Sequence, residues 1–424
     1  MSTRTLALPG RDKLFIPGSM LDTTTAKGRR NVLMEMALRR SIGFVPGVLG
    51  GSQPLGFHTE ADVIRTTVDG VETNTLWREF QQALAILNAQ RQPMVDLLTY
   101  TVPRPVETVP QVGSSANFEK ASEFGVPVAV RTGVGYFKMG FAFDWYDTGA
   151  RYTWKYLAEA SAEQVRSVFD TVLEGDNRLV FNEVMRTLFR STNRIADIND
   201  QEYNVYAFYN ADGTVPPTYK TTTFTGTHQH YRTSGAATVN SGDLDEMLDD
   251  LESHGYSRSN GYDLVFLTNK QEVNTIRTFK SVQNGGTARY DFIPAQGTPN
   301  FLLPDNFRVN SANGGTQPAD SYRGIAVAGK YGDGLILMDD FIPAGYMVLF
   351  ATGGRDNVNN PIGIREHARQ ELRGLRMVKT RQDDYPLQDS YWQRGFGTGI
   401  RHRGAGMVMQ ITANASYTAP AVYA

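Results

Sequence analysis

The chain has no cysteine. That excludes disulfides and thiolate metal sites, leaves stability to packing and association, and removes any need for an oxidising compartment. It has no apolar run near the ~20 residues that span a bilayer, and residues 1–10 lack the basic-then-apolar build of a secretory leader, so folding in a cytoplasm away from membranes is expected. Without a leader, Asn414-Ala415-Ser416 is read as a chance glycosylation sequon. Net charge is nearly absent too: 42 Lys and Arg face 44 Asp and Glu, leaving −2. A protein that condenses nucleic acid through its overall charge is therefore not expected.

What is present is 424 residues, 41% of them apolar, enough for roughly two or three packed cores. Charge is uneven locally. In the first forty residues Arg4, Arg11, Lys13, Lys27, Arg29, Arg30, Arg39 and Arg40 outnumber Asp12, Asp22 and Glu35. A solvated or neighbour-facing patch is the plainer reading of this excess, and contact with phosphate the sharper one.

Phe137, Met139, Phe141, Phe143 and Trp145 recur at a spacing of two, with Tyr136, Lys138, Asp144 and Tyr146 on the other face. This is the pattern of a half-buried antiparallel strand. Prolines at 103, 105, 110 and 127 suit strand edges, so a projecting hairpin is expected. An isolated hairpin is marginal in water, and the ribbon is expected to find cover on a second copy of the chain.

Around the ribbon, residues 1–70 read as an extended arm with a short helix at 32–40, and 76–89 as a helix with Leu76, Phe80, Ala83, Leu84 and Leu87 on one stripe. Ser161 with Gln164 has the capping-box spacing, and the stripe Val165, Val168, Phe169, Val172, Leu179, Val180, Val184 and Leu188 predicts a rod to Arg190, about 43 Å long. Gly175 weakens its middle, where a bend is expected. From 193 to 345 a mixed unit is predicted: helices at 243–252 and 270–279, strands at 264–267, 324–328, 335–338 and 346–350. A last strand covers 400–411.

Chemical motifs are sparse. Gly324–Lys330 nearly spells a phosphate loop, but its interior Ile-Ala-Val-Ala reads as a strand and Tyr331 cannot hold magnesium. Gly395-Phe396-Gly397-Thr398-Gly399 lacks a third correctly spaced glycine and is read as a flexible turn. His228 and His230 would share one side of a strand as a metal pair, yet no carboxylate or third histidine is adjacent, so a polar loop is preferred. Asp339-Asp340 and Asp383-Asp384 sit beside turn-forming residues, and adjacent carboxylates on a strand point to opposite faces. The acids Asp243, Asp245, Glu246, Asp249, Asp250 and Glu252 have helical spacing and read as a solvated face. No catalytic residue, metal or cofactor is expected.

The order of arm, long hairpin, long helix, mixed unit and returning strand resembles the major capsid proteins of tailed double-stranded DNA bacteriophages, which have the HK97-type fold. Residues 339–347 (DDFIPAGYM) and 392–405 (WQRGFGTGIRHRGA) are similar to capsid proteins from phages of actinobacteria. The resemblance implies an α+β fold divided into an N-arm (1–70), a first P-domain helix (71–98), an E-loop (99–157), a P-domain spine helix (158–192), an A-domain (193–375) and C-terminal P-domain strands (376–424). It implies a non-enzymatic subunit that assembles with itself, as hexamers and pentamers, into an icosahedral shell around a packaged double-stranded DNA genome. A portal and separate scaffolding or decoration proteins are the implied partners, the virion capsid the location, and the bacterial host cytoplasm the site of assembly. The ribbon residues and Phe118, Glu119 and Lys120 become candidates for contact between subunits. Lys27, Arg29, Arg30, Arg39 and Arg40 become candidates for a lumen-facing set that meets DNA weakly and without sequence preference.

Some members of the family crosslink an E-loop lysine to an asparagine of a neighbour. Lys120 and Lys138 lie in the right loop and Asn357, Asn359 and Asn360 in a loop within conceivable reach, but no motif matches. An uncleaved chain is expected, since no charged helical prelude precedes the arm. The rival readings are an encapsulin-type compartment, which shares the fold, and a hydrolase using Asp339, Asp340 or the histidine pair.

Overall fold

A computed structural model describes residues 3–6, 14–17, 66–89, 91–111, 135–197, 200–298, 317–379 and 387–423. The chain divides into two compact units, residues 1–74 with 153–162, and residues 75–152 with 163–424. In the first, strands β1 (Thr3–Leu6) and β2 (Leu14–Pro17) pair antiparallel, and the short helix α3 (Trp154–Glu159) is capped by the Thr153 hydroxyl, which accepts from the Tyr156 amide. The helix expected at 32–40 lies outside the described residues.

Among the described residues the second unit holds an eight-stranded and a five-stranded sheet, and two two-stranded ones, β4 (Val106–Gln111) with β5 (Gly135–Gly140) and β7 (Arg194–Asp197) with β8 (Glu202–Val205). The larger has eight strands, in the order β11 (Phe292–Pro294), β13 (Ile325–Tyr331), β14 (Gly334–Met338), β10 (Asp263–Thr268), β15 (Tyr346–Thr352), β19 (Gly406–Gln410) and β9 (Tyr231–Thr233), with β12 (Ser321–Tyr322) beside β13. Its central strands are apolar through their middles, Leu264–Leu267 in β10 and Met347–Ala351 in β15, because both faces are covered. Along β10, Val265 and Leu267 join the core under helix α4 (Ala162–Phe189), with Val180, Phe181, Val184 and Leu188. Leu264 and Phe266 point the other way, to helix α5 (Ser241–Ser253) and its Leu244, Met247, Leu248 and Leu251. The two-residue alternation of a strand thus sorts one apolar run into two cores.

α4 runs unbroken for 28 residues, including Gly175, so the expected bend does not interrupt it. Helix α1 (Thr73–Ala89) lays Phe80 flat on Phe169 of α4, ring centroids 4.0 Å apart. α5 starts at a reciprocal cap in which the Asn240 side chain accepts from the Asp243 amide and Asp243 accepts from the Asn240 amide. Helix α6 (Lys270–Ile276) ends three residues before its expected limit. Among the described residues no helix is long and apolar enough to cross a membrane.

The smaller sheet has five strands: β17 (Leu375–Lys379), β18 (Leu387–Ile400), β16 (Ile362–Glu366) and β3 (Thr99–Val102) in order, with β6 (Asp144–Thr153) also on β18. The short helix α2 (Pro93–Leu98) leads straight into β3. One expectation is corrected here. The tail is not one strand from 400 to 411: β18 and β19 are separated by a turn at 401–405 and belong to different sheets. Strands from both sides of residue 375 contribute to each of the two large sheets.

Candidate assembly interface

The aromatic ribbon is not one strand. β4 (Val106–Gln111) and β5 (Gly135–Gly140) pair antiparallel as a separate two-stranded sheet, Phe141–Phe143 lie outside any regular ladder, and β6 then pairs with β18. The break inverts the faces. In β5 the odd residue Met139 is buried, whereas in β6 the even residues Tyr146, Ala150 and Tyr152 turn inward and Trp145 turns out, 46% exposed. A one-residue change of phase moves each side chain to the opposite face, and the three residues between the two ladders supply it.

The ribbon crosses a strand face made of glycine. Gly395, Gly397 and Gly399 occupy alternate positions of β18, on one face. A Cβ on Gly397 would lie 1.9 Å from the Ala142 carbonyl oxygen, one on Gly399 2.8 Å from that of Gly140, and one on Gly395 2.6 Å from the Trp145 ring. Bare backbone therefore lets the ribbon approach, and the Ala142 amide donates to the Thr398 carbonyl at 3.3 Å. Gly363 of β16 receives the Phe141 ring in the same way, a Cβ there falling 2.4 Å from it. The expected flexible turn at 395–399 is corrected: these residues lie inside a 14-residue strand, and their glycines are needed for contact rather than bending.

The opposite face of β18 packs on α4. Trp392 meets Phe169 at 5.2 Å, the Thr398 hydroxyl lies 2.6 Å from that of Thr187, and Arg394 pairs with buried Asp176. Burial pushes the Asp176 carboxyl upward, against the pull of the Arg394 cation. Helix, sheet and ribbon form three layers.

This geometry corrects the expectation that the whole ribbon needs a second copy for cover. Met139 is buried and Phe141 wholly so, in a small cluster with Tyr100 and Val102. Neither remains available to a neighbouring subunit. Phe137 is half-buried against Tyr206, and Phe143 half-buried under Arg365, whose guanidinium lies 4.8 Å from the ring centre. Trp145 touches Phe143 edge-on at 5.4 Å, with Arg376 5.8 Å from its ring. An apolar edge at Phe143 and Trp145, flanked by two arginines, is what the ribbon leaves to the outside.

The other candidates fall as follows. Phe118, Glu119, Lys120, Lys27, Arg29, Arg30, Arg39, Arg40, Asp383 and Asp384 lie outside the described residues. Lys138 is exposed, but Asn360 is wholly buried: its amide donates to the carbonyls of Asp96, Thr99 and Gly354, and its oxygen accepts from Thr352 and the Gly353 amide. That side chain is a buried clamp, closed to crosslinking. Gly324–Lys330 contributes to strand β13, and Gly329 is required because a Cβ would meet Phe292 at 2.4 Å. Asp339 accepts from the Phe341 amide in a turn. The acids of α5 are tied rather than merely solvated: Asp245 to Tyr331, Asp249 to Arg289, Glu246 and Asp250 to Arg232. His228 and His230 meet His254 and Asp250 in a cluster of their own.

No family model and no curated protein matches the chain. Among solved structures, a chain of Mycobacterium phage Patience is 41% identical, with 88% of this chain and 98% of that one covered and a TM-score of 0.68. The capsid of cyanophage P-SCSP1u is 11% identical, covering 87% of this chain and 97% of that one, at a TM-score of 0.41. A holo-SrpI encapsulin complex from Synechococcus elongatus PCC 7942 is 12% identical, covering 90% and 97%, at a TM-score of 0.39. With the mixed α+β architecture above and so close a relative along nearly its whole length, the chain belongs to the HK97-fold major capsid proteins of tailed bacteriophages and builds a shell.

Proposed function

We propose that the shell closes from hexamers and pentamers around a packaged double-stranded DNA genome, and that the β5–β6 ribbon is the E-loop through which one subunit grips the next. The 41% identity along 88% of the chain carries the capsid assignment. The outward Trp145 beside half-buried Phe143 supports the E-loop role, because a large aromatic left at a rim with flanking arginines has the composition of an interface anchor. In this reading 1–70 is the N-arm, 71–98 and 158–192 P-domain helices, 99–157 the E-loop, 193–375 the A-domain and 376–424 the returning strands. Phe118, Glu119 and Lys120 extend the same grip. Assembly takes place in the host cytoplasm, with a portal and separately encoded scaffolding or decoration proteins as partners.

Lys27, Arg29, Arg30, Arg39 and Arg40 are proposed to face the lumen and touch DNA weakly. A chain of net charge −2 suits a container that DNA must slide into. Purified subunits should bind free DNA feebly at physiological salt; tight binding that collapses as salt rises would contradict this.

The decisive experiment is Trp145→Asp. The variant should remain folded and soluble, because Trp145 is surface, yet fail to close shells in negative-stain images. Shells at normal yield would refute the E-loop reading. Phe141 is unsuitable for this test, since replacing a wholly buried ring probes folding instead.

A further inference from the structure

Three histidines point their Nε2 atoms at one another. His228 to His230 is 2.9 Å, His228 to His254 2.8 Å and His230 to His254 3.1 Å, and Oδ1 of Asp250 lies 3.7 Å from the His228 nitrogen. The four donor atoms all fall within 4.8 Å of one another. His228 and His230 flank Gln229 in the segment leading into β9, while Asp250 and His254 are four residues apart at the C-terminal end of α5 and share a face.

This arrangement cannot satisfy itself. Each neutral imidazole offers at Nε2 either one proton or one lone pair. With three such atoms in mutual contact, at least two must carry the same kind, and one close pair is mismatched whatever the tautomers. For His230 the choice is fixed: its Nδ1 lies 2.7 Å from the Gly406 carbonyl, which can only accept, so the proton sits on Nδ1 and a lone pair on Nε2. Three lone pairs converging on one cation would remove the conflict. In a tetrahedral site with Zn–N bonds near 2.0–2.1 Å the ligand atoms are about 3.3 Å apart, a few tenths of an ångström beyond the spacing of the three nitrogens, while Asp250 Oδ1, 3.7 Å from His228, would move inward.

We propose that His228, His230, His254 and Asp250 bind a single divalent transition-metal ion of the zinc class, as a structural brace between α5 and the β9 edge of the large sheet.

The surroundings are those of a built site. His230 is wholly buried and donates to Gly406, which fixes the ring that would ligate. Phe224 stacks on His254 at 4.2 Å with planes 4° apart, and Tyr209 lies nearly parallel to it at 5.6 Å. Arg232 takes the Oδ2 of Asp250 at 2.7 Å, leaving Oδ1 toward the histidines, and also pairs with Glu246, which offsets its charge near a cation. Four protein ligands leave no open position, so the ion would hold structure rather than activate water. All-nitrogen and carboxylate donors without thiolate favour zinc, cobalt or nickel over calcium or magnesium.

The test uses purified full-length subunits stripped with EDTA and titrated with zinc chloride against a chromophoric chelator, then with cobalt(II). One zinc per chain and the strong visible absorption of tetrahedral cobalt are expected. In the double variant His228→Gln, His254→Gln, zinc affinity should fall at least about 100-fold and the cobalt bands vanish. The proposal is overturned if the wild-type chain takes up zinc no more tightly than the double variant. It is equally overturned, with no variant needed, if wild-type cobalt shows only the weak spectrum of an octahedral hydrated ion.

Discussion

Alanine substitution along the glycine face of β18 should produce a graded response set by what each new methyl meets. At Gly397 the methyl would fall 1.9 Å from a carbonyl oxygen and 2.4 Å from its carbon, over 1 Å closer than real Cβ atoms approach, and backbone cannot swing away as a side chain can. The ribbon must lift, which costs the upper end of the ~1–3 kcal/mol typical of overpacking. It also breaks the Ala142-to-Thr398 hydrogen bond, worth about 1 kcal/mol, giving about 4 kcal/mol in total. At Gly399 the nearest atom is again a backbone oxygen but at 2.8 Å, so about 2 kcal/mol is expected. At Gly395 the methyl meets the far ends of Trp145 and Phe143, at 2.6 and 2.8 Å, which can rotate outward for about 1 kcal/mol. Gly175→Ala is the control: it is exposed in α4 with nothing within 4 Å, and should stabilise by about 1 kcal/mol. Urea unfolding of subunits kept below their assembly concentration, followed by tryptophan fluorescence, gives the ranking. Gly395→Ala should additionally depress shell yield more than its small stability cost explains, because it displaces Trp145. A Gly397→Ala midpoint indistinguishable from wild type, or Gly395→Ala as costly as Gly397→Ala, would refute the layered packing of ribbon on strand.

Two further predictions concern the layers beneath and beside the ribbon. Asp176→Ala leaves the buried Arg394 guanidinium without its partner and should cost about 3–5 kcal/mol, whereas Asp176→Leu with Arg394→Met should recover most of that; thermal unfolding of the three variants decides it. Burial pushes His402 down to about 4, while an unfolded histidine titrates near 6.5. Between those values the unfolded chain binds the extra proton, so stability is complete above pH ~6.5 and is lost as pH falls toward ~4, by at most about 3 kcal/mol. His402→Gln keeps a donor for the Val358 carbonyl and should flatten that acid limb; an unchanged slope in denaturant midpoints between pH 4.5 and 6.5 would count against it.

The elements with long, strongly periodic faces were legible in the sequence. The stripe Val165 to Leu188 and the run Leu244, Met247, Leu248 and Leu251 gave their helices nearly to the residue, since a single buried face repeats every 3.6 positions. Glycine is ambiguous in sequence because it has two uses, turning and making room. Gly395, Gly397 and Gly399 look like a loop until their spacing of two is set against the same spacing in Phe141, Phe143 and Trp145, a match of strand to strand that was there to be found. The face inversion at 141–143 was not legible, as it depends on where pairing with β18 begins. The pair His228 and His230 has no third ligand nearby in sequence; Asp250 and His254, four residues apart, reach it only through the fold.

Burying half of the ribbon at home makes physical sense for a subunit that must stay soluble before it assembles. A fully exposed strand bearing five large apolar side chains would pair with any available edge and aggregate. Sinking Met139 and Phe141 into their own fold removes the greasiest part, and Arg365 and Arg376 shield what remains at Phe143 and Trp145 without covering it. In the E-loop reading proposed above, this remaining edge is what meets a neighbour, and it is carried on the three layers of ribbon, sheet and helix. Durability then comes from repetition: once each subunit holds several neighbours, the effective concentration of every remaining contact rises, and modest contacts become collectively hard to break.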